Sequence, residues 1–208
     1  YYLRVLNKKN FNLTIKPMLG NLVGKKLILA SNSPRRQELL NGLEVEFEVR
    51  VSTVEEKIPA DLKAEYVAAY LSKLKSDSFE NLNVGEILIT SDTVVIINNN
   101  VLGKPVNEQE AFDMLKSLSG DTHTVMTAVT MRDSSKQITI EDETLVTFRF
   151  LTEDEIWHYI HNYKPFDKAG AYGIQEWIGF MGITRIEGSY YNVMGFPLHL
   201  VYEQLKKW

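Results

Sequence analysis

The chain has 208 residues, which is enough for one domain or for two closely packed lobes with a buried core. Its 44% hydrophobic and 24% charged residues are typical of a folded protein and exclude disorder for most of the sequence. A formal net charge of -4 argues against broad nucleic-acid binding, and the lack of cysteine excludes disulfides, thiolate metal sites and a cysteine nucleophile.

Composition also predicts location and domain boundaries. A chain without cysteine suits the reducing cytoplasm, and its longest apolar runs, 27–30 and 94–97, are too short to span a bilayer. Residues 1–16 carry basic but no acidic side chains and show no clear period. We therefore expect residues 1–24 to be an N-terminal extension outside the fold, and residues 25–208 to form a single cytoplasmic domain without a membrane anchor.

The first predicted unit is a strand, a helix and a second strand. Ser33 followed by Pro34 is typical of a helix start, because serine caps the helix and proline fits its first position. Alternating polar and apolar residues after this helix indicate a half-buried strand. The predicted bounds are a strand at 26–30, a helix at 34–43, a strand at 44–51 and a polar loop at 52–60.

A long helix and a long strand are predicted next. Asp61 can cap a helix that runs to about Phe79. A strand at 87–90 continues through Ser91-Asp92-Thr93 to 97, and the turn 98–100 returns the chain in a hairpin. The inward stripe of the helix is predicted to contain Leu62, Tyr66, Ala69, Tyr70 and Leu74.

The second half alternates between helices and strands in the same way. Asn107 with Glu110, and Thr152 with Glu155, are capping-box patterns that each start a helix. The predicted bounds are a helix from 107 to 120, strands at 122–131 and 137–150, a helix from 152 to 164, short strands within 183–191 and a helix after Pro197. This order indicates an α/β fold with a mixed sheet and two lobes around a cleft.

An anion site is predicted between the first strand and the first helix. Backbone N–H groups and the positive end of the helix dipole converge there, and Arg35 and Arg36 add guanidinium groups that match phosphate oxygens. The hydroxyls of Ser31 and Ser33 can also donate. The alternative is that Ser33 only caps the helix while both arginines are solvated.

Two acidic segments could hold a cation. Asp92 follows a hydrophobic strand, where open α/β sheets place ligand groups, although a turn-forming aspartate is the simpler alternative. Glu55 or Glu56 in the polar loop could add a second carboxylate, or could simply be solvated. Magnesium needs only one or two carboxylates besides substrate phosphates.

Further candidates are two lysines and a glycine-rich segment. Lys104 stands on the turn Gly103-Lys104-Pro105, and Lys75 lies late on the long helix, so either could neutralise a phosphate or remain on the surface. In the segment 167–175 the glycines allow close approach of a ligand, and Gln175 offers a donor and an acceptor to a base edge. The alternative for this segment is a tight structural turn.

Taken together, these motifs resemble the Maf family in order and spacing. The resemblance covers nearly everything from Lys26 to the C-terminus. Glu176 departs from the family, which usually has glycine at that position. The motifs are Ala30-Ser31-Asn32-Ser33-Pro34-Arg35-Arg36, Val54-Glu55-Glu56-Lys57, Ser91-Asp92-Thr93, Gly103-Lys104-Pro105, Leu118-Ser119-Gly120 and Asp167 to Gln175.

The resemblance implies a nucleoside triphosphate pyrophosphatase that uses a divalent cation, Mg²⁺ or Mn²⁺, on an elongated fold similar to that of inosine triphosphate pyrophosphatases. It favours the subgroup acting on dTTP and UTP, with modified pyrimidine nucleotides as further candidate substrates in a house-cleaning role. The alternative is a nucleotide-binding regulator of septum formation. The oligomeric state stays open, with a homodimer as one option.

The resemblance also assigns roles to individual residues. In the family pattern, Asp92 is the proton acceptor and a metal ligand together with Glu56. The expected phosphate-binding residues are Ser31, Ser33, Arg36, Lys75 and Lys104, and the expected specificity residues are Arg35, Thr93 and Gln175. Choosing Lys75 over Lys73 depends on the register of the long helix.

Overall fold

The computed structural model describes residues 18–208. Residues 1–17 of the predicted extension lie outside the described residues, but the expected boundary after residue 24 is wrong. A short 3₁₀ turn spans Gly20–Leu22, and both Leu19 just before it and Leu22 at its end are buried in the core. Asn21 Nδ2 donates a hydrogen bond to the carbonyl of Leu205 at 2.7 Å. This segment packs through tertiary contacts, which its local pattern does not reveal.

A seven-stranded mixed sheet is the framework of the protein and confirms the predicted α/β class. The strands follow the order β2-β1-β3-β5-β6-β7, and β4 pairs with β3. β1 is parallel to β2 and β3, whereas every other pairing is antiparallel. The strands are β1 Lys26–Leu29, β2 Phe47–Val49, β3 Glu86–Ile97, β4 Asn100–Leu102, β5 Thr122–Arg132, β6 Gln137–Phe148 and β7 Ile183–Glu187.

Seven α-helices surround this sheet in the described part of the chain. Two of the predicted helix starts are confirmed, because Asn107 accepts a hydrogen bond from the Glu110 amide and Thr152 forms a complete capping box with Glu155. The helices are α1 Pro34–Asn41, α2 Val67–Asp77, α3 Glu108–Leu118, α4 Glu153–Tyr163, α5 Trp177–Gly182, α6 Tyr190–Val193 and α7 Leu198–Lys206.

The long helix differs most from its prediction. Asp61 does not cap it, because a turn from Pro59 to Leu62 and a 3₁₀ turn at Ala64–Tyr66 come first. The predicted stripe is wrong at Tyr66, which is 53% exposed. The buried face of α2 also differs from the predicted stripe, because its buried side chains are those of Val67, Ala68, Leu71, Ser72 and Ser76.

Strand bounds at three other places also differ. β2 is confined to Phe47–Val49, and β6 ends at Phe148 rather than 150. The strand predicted to reach Tyr191 ends at Glu187, because Gly188 has a φ of +128° and Ser189 caps α6. The helix α5 was not predicted. Its residues are mostly apolar and lack the polar stripe that a helical period requires.

The cleft lies at a gap along one edge of β3. β5 pairs with the other edge continuously from Leu88 to Ile96. On the open edge, β1 pairs only as far as Ile89 and β4 begins at Val95. Residues 91–94 therefore have no strand neighbour on that side, and this gap separates the two predicted lobes.

Polar side chains separate two hydrophobic clusters of the core at the position of the gap in β3. On one face of the sheet, Ile89 and Val129 belong to a cluster packed under α1 and α7, whereas Val95 and Val125 belong to a second cluster under α3 and α4. The strand positions between these two clusters on that face are Ser91, Thr93 and Thr127. The other face carries α2, which packs on Val94, Met126 and Ala128.

Candidate active site

The predicted anion loop lies at the N-terminus of α1. Ser33 occupies the N-cap position and Pro34 the first turn, but the Ser33 side chain makes no capping hydrogen bond. Instead, the Ser33 amide donates to Ser31 Oγ at 3.2 Å. Arg35 reaches across the cleft, and its Nη1 donates to Asp167 Oδ2 at 2.8 Å. The loop is therefore more than a simple helix cap.

Arg36 makes contacts that its sequence position does not reveal. Its Nε donates to the Gly195 carbonyl at 2.8 Å, Nη1 to the Ser91 carbonyl at 2.8 Å and Nη2 to Thr93 Oγ1 at 3.1 Å. Burial lowers the pKa of Arg36, and the charge of Asp92 opposes this effect. Arg36 thus satisfies a carbonyl left open by the gap in β3. Of its five N–H groups, two remain for a ligand.

Asp92 faces α2, where it meets the other expected acid. Lys75 Nζ donates to Asp92 Oδ1 and lies 3.2 Å from Glu56 Oε1, so one ammonium group links both carboxylates. Asp92 is only 9% exposed. Lys75 lines the cleft, whereas Lys73 is exposed and is not among the residues that line it. Asp92 lies in the middle of β3 rather than at its end, because the strand continues past the gap to meet β4.

Glu55 does not join this cluster. Its carboxylate pairs with Lys57 at 2.9 Å, and both side chains are exposed. Of the two loop glutamates, only Glu56 faces the cleft.

The glycine-rich segment forms the opposite wall. Lys168 Nζ contacts Asp167 Oδ1 at 2.6 Å and Glu176 Oε1 at 3.1 Å, and Glu176 also accepts a hydrogen bond from Tyr159. Burial alone would raise the pKa of Asp167, but hydrogen bonds from Lys168 and Arg35 outweigh it and lower that pKa. The departure at Glu176 therefore supplies a partner for Lys168, which is 8% exposed.

Gln175 lies beside this network. Its Oε1 is buried and has no hydrogen-bond partner among the described residues. Because an unsatisfied buried acceptor is costly, this atom is suited to a ligand that donates a hydrogen bond.

Two adjoining cavities bring together all ten residues expected from the sequence. Thr93, Asp92 and Gln175 line the first cavity, and Ser31 and Glu56 line the second. The walls shared by both cavities include Ser33, Arg35, Arg36, Lys75, Lys104 and Asp167. The structure therefore places the predicted residues around one continuous cleft.

Three further residues, two in the cleft wall and one buried behind it, were missed as individual candidates. Lys168 was noted only as part of its segment, and neither Gly195 nor Thr127 was considered. Gly195 has a φ of +100°, and an added Cβ would lie 3.1 Å from Thr93 Oγ1. The sequence signal that could have found Thr127 is a polar residue between the buried apolar residues Met126 and Ala128 of one strand.

The two acids fit a hard cation that a substrate helps to hold. The described residues contain no group of three or more histidine, cysteine, aspartate or glutamate side chains suited to a metal ion. Asp92 and Glu56 nevertheless converge on one point through Lys75. Two carboxylates completed by phosphate oxygens and water form a typical magnesium site.

The fold and the cleft together define an α/β protein with a cation-lined site suited to a polyphosphate. The chain belongs to the family described as Maf-like protein, whose sequence profile matches residues 26–208. Within residues 18–208, none of the helices combines the length and the apolar character needed to cross a bilayer.

Curated relatives cover most of this chain. A dTTP/UTP pyrophosphatase of Flavobacterium johnsoniae is 51% identical over 181 residues, which is 86% of this chain and 93% of that protein. One of Bacteroides thetaiotaomicron is 47% identical and covers 91% of this chain and 100% of its own length. Among solved structures, a HAM1 protein from Coxiella burnetii aligns with 88% of this chain and 100% of its own at 13% identity, with a TM-score of 0.47.

Proposed function

We propose that this protein hydrolyses dTTP and UTP to the nucleoside monophosphate and pyrophosphate. The relatives that carry the name dTTP/UTP pyrophosphatase support this substrate class, since they are similar over nearly their whole length. Modified pyrimidine triphosphates that keep the same base edge are further candidates.

The observation that carries the proposal is the contact of Lys75 with both Asp92 and Glu56 inside a cleft lined by cations. A buried carboxylate needs a paired charge, and Lys75 supplies it. Arg35 and Lys104 line the same cleft and can neutralise a triphosphate tail. A site built only to bind phosphate would gain nothing from two acids at this position.

In the proposed reaction, Asp92 accepts a proton from a water molecule whose oxygen attacks the α-phosphorus. The bond from the α-phosphorus to the bridging oxygen breaks, and pyrophosphate leaves with that electron pair. Arg35 and Lys104 offset the charge that develops on the leaving group. Arg35 must then exchange Asp167 for phosphate, which is feasible because Asp167 is 57% exposed in its side chain.

A divalent cation, Mg²⁺ or Mn²⁺, belongs to this proposal. Asp92 and Glu56 would hold it, and it would supply Lewis-acid stabilisation of phosphate charge. Lys75 would then keep the two carboxylates aligned before the substrate arrives.

The base is proposed to be read at the end of the cleft that carries Gln175. Uracil and thymine present an N–H at position 3 flanked by carbonyl oxygens. The unpartnered Gln175 Oε1 can accept that N–H, and the amide nitrogen of the same side chain can donate to a carbonyl. Cytosine presents an acceptor at position 3 and would leave Gln175 Oε1 unpaired.

A panel of triphosphates tests the proposal. UTP, dTTP, CTP, GTP and a 5-substituted UTP are assayed with Mg²⁺ and with Mn²⁺, and pyrophosphate and orthophosphate are measured separately. We expect pyrophosphate from UTP and dTTP. Release of orthophosphate instead would indicate a general phosphatase, and tight nucleotide binding without turnover would favour the regulator of septum formation.

A further inference from the structure

A chain of hydroxyl groups connects the cleft to β5 on the face opposite Asp92. Thr127 is fully buried and lies directly across from Thr93 in the sheet. Thr93 Oγ1 and Thr127 Oγ1 are 3.0 Å apart, and Thr127 Oγ1 donates to the Asn192 carbonyl at 2.9 Å. Arg36 Nη2 donates to Thr93 Oγ1 at 3.1 Å at the other end of the chain.

Counting protons fixes the direction of these hydrogen bonds. A threonine hydroxyl has one proton and two lone pairs. Because the Thr127 proton goes to the Asn192 carbonyl, the contact between the two threonines requires the proton of Thr93. Thr93 also accepts from Arg36, so its proton and one lone pair are engaged. One lone pair therefore remains on Thr93 for a ligand in the cleft.

The hydroxyl chain ends at Asn192, whose position is held by further hydrogen bonds. Asn192 is fully buried, and its Nδ2 donates to the Val125 carbonyl at 3.0 Å and to Thr144 Oγ1 at 2.9 Å. The Asn192 side chain thus ties the residue whose carbonyl accepts from Thr127 to β5 and to β6. The Gly195 amide also donates to this carbonyl at 2.9 Å. Rotation of the Thr127 hydroxyl away from the carbonyl would nevertheless leave two oxygen atoms 2.9 Å apart with no proton between them, which is unfavourable.

We propose that Thr127 is a positioning residue that holds Thr93 as a hydrogen-bond acceptor toward the nucleotide base. The inference rests on the proposed function and extends it to a residue that does not touch the substrate. Thr93 and Gln175 line the same cavity, and Gln175 Oε1 has no hydrogen-bond partner among the described residues, so the proposal places two acceptors beside the base. This arrangement favours a base that presents an N–H, such as uracil or thymine, over cytosine.

The test removes the Thr127 hydroxyl while its shape is kept. In Thr127→Val, the Thr93 proton is free to turn toward the cleft, so cytosine gains a donor. We expect the ratio of kcat/KM for UTP to that for CTP to fall about tenfold. Thr127→Ser retains the hydroxyl and should keep the wild-type ratio. If the valine variant does not fold, Thr127→Ala and Thr127→Ser form a pair that differs only by the hydroxyl oxygen.

Thr130→Val is the matched control. Thr130 is equally buried on the same strand, but its hydroxyl bonds Ser72 at 2.9 Å and Thr139 at 2.9 Å, away from the cleft. Loss of the Thr130 hydroxyl should lower the melting temperature about as much as Thr127→Val does. It should leave the ratio of kcat/KM for UTP to that for CTP unchanged. An equal fall of the ratio in both valine variants, or no fall in Thr127→Val, would overturn the role of Thr127.

Binding of UMP and CMP by calorimetry separates this inference from the proposed function. If the wild type fails to hydrolyse UTP, the proposed function is wrong. The inference then still stands if the wild type prefers UMP and Thr127→Val loses that preference. A wild type that binds both monophosphates equally well, or neither of them, would reject it.

Discussion

The two faces of β3 carry different chemical groups at the cleft, although the residues that represent them, Asp92 and Thr93, are adjacent in sequence. Asp92 points toward α2 and meets the charged groups of Lys75 and Glu56. Thr93 points toward α1 and joins a neutral hydroxyl chain that starts from Arg36. Successive side chains of a strand alternate between faces, so adjacent residues serve different environments. Both environments open on one cleft because residues 91–94 have no strand partner on that edge.

This difference indicates a division of labour. The charged face holds groups that can accept a proton and hold a cation, and we assign the chemical step to it. The neutral face holds groups whose hydrogen-bond directions are fixed by proton count, and we assign base recognition to it. Damage to the charged face should therefore lower kcat, whereas damage to the neutral face should change the preference among bases.

The largest expected effect comes from Asp92→Asn. This change keeps shape and removes the proton acceptor, so kcat should fall about 10³-fold while the fold is retained. Steady-state kinetics and thermal melting monitored by circular dichroism measure both outcomes. Asp77→Asn, an exposed site on α2, is the control and should change neither. Near-normal turnover of the Asp92 variant would remove the assigned role.

The next effect is that of Lys75→Met. Without the ammonium group, Asp92 and Glu56 lose their shared partner, so we expect kcat/KM to fall about 10²-fold. Lys73→Met is a close control, because Lys73 is exposed two residues earlier on the same helix. Equal kinetics of the two variants would show that the contact of Lys75 with both acids has no functional weight.

A smaller and more selective effect is expected for Gln175→Leu on the side of base recognition. The change removes the unpartnered acceptor, so kcat/KM for UTP should fall roughly 10- to 100-fold while the value for CTP changes little. The melting temperature should stay constant or rise, because a buried unsatisfied oxygen is replaced by an apolar group. A drop in melting temperature together with an unchanged base preference would contradict this account.

The smallest effect concerns a site remote from both faces. Hydrogen bonds from Arg149 and from the Thr152 amide lower the pKa of Glu155 from 4.5 to about 2. A lowered carboxyl pKa stabilises the fold above pH 4.5, and that contribution is lost as the pH falls from 4.5 toward 2.

Glu155→Gln tests this carboxylate without removing the capping pattern, since glutamine also fits it. At pH 7 the melting temperature should fall by about 1 to 3 °C, because the pair with Arg149 is partly exposed. The difference from wild type should shrink below pH 4.5, and kcat should not change. A difference that is constant from pH 7 to pH 3 would exclude the charge as its cause.

Local signals predicted much of the fold correctly. Ser33-Pro34 and the capping patterns at Asn107 and Thr152 mark helix starts that the structure confirms. The two long strands predicted at 122–131 and 137–150 form the hairpin of β5 and β6, although β6 ends at Phe148. The site residues followed from the resemblance to the Maf family, since each motif taken alone also had a simple structural explanation.

Other features depend on contacts that are distant in sequence. The start of α2 is set by a turn at Pro59 rather than by Asp61, and the sequence period could not distinguish Lys73 from Lys75. The three hydrogen bonds of Arg36 are formed with residues 55, 57 and 159 positions away. No local pattern encodes such partners.

By itself, the sequence determined the α/β class, the order of most elements and the set of polar residues that interrupt the apolar strands. These properties depend on short-range periodicity and on capping chemistry. Only the tertiary structure decided where the cleft lies, because the gap in β3 exists only after β1 and β4 have paired with the same edge. It also decided that Asp92 and Thr93 face opposite sides of the sheet, with a charged cluster on one side and a hydroxyl chain on the other.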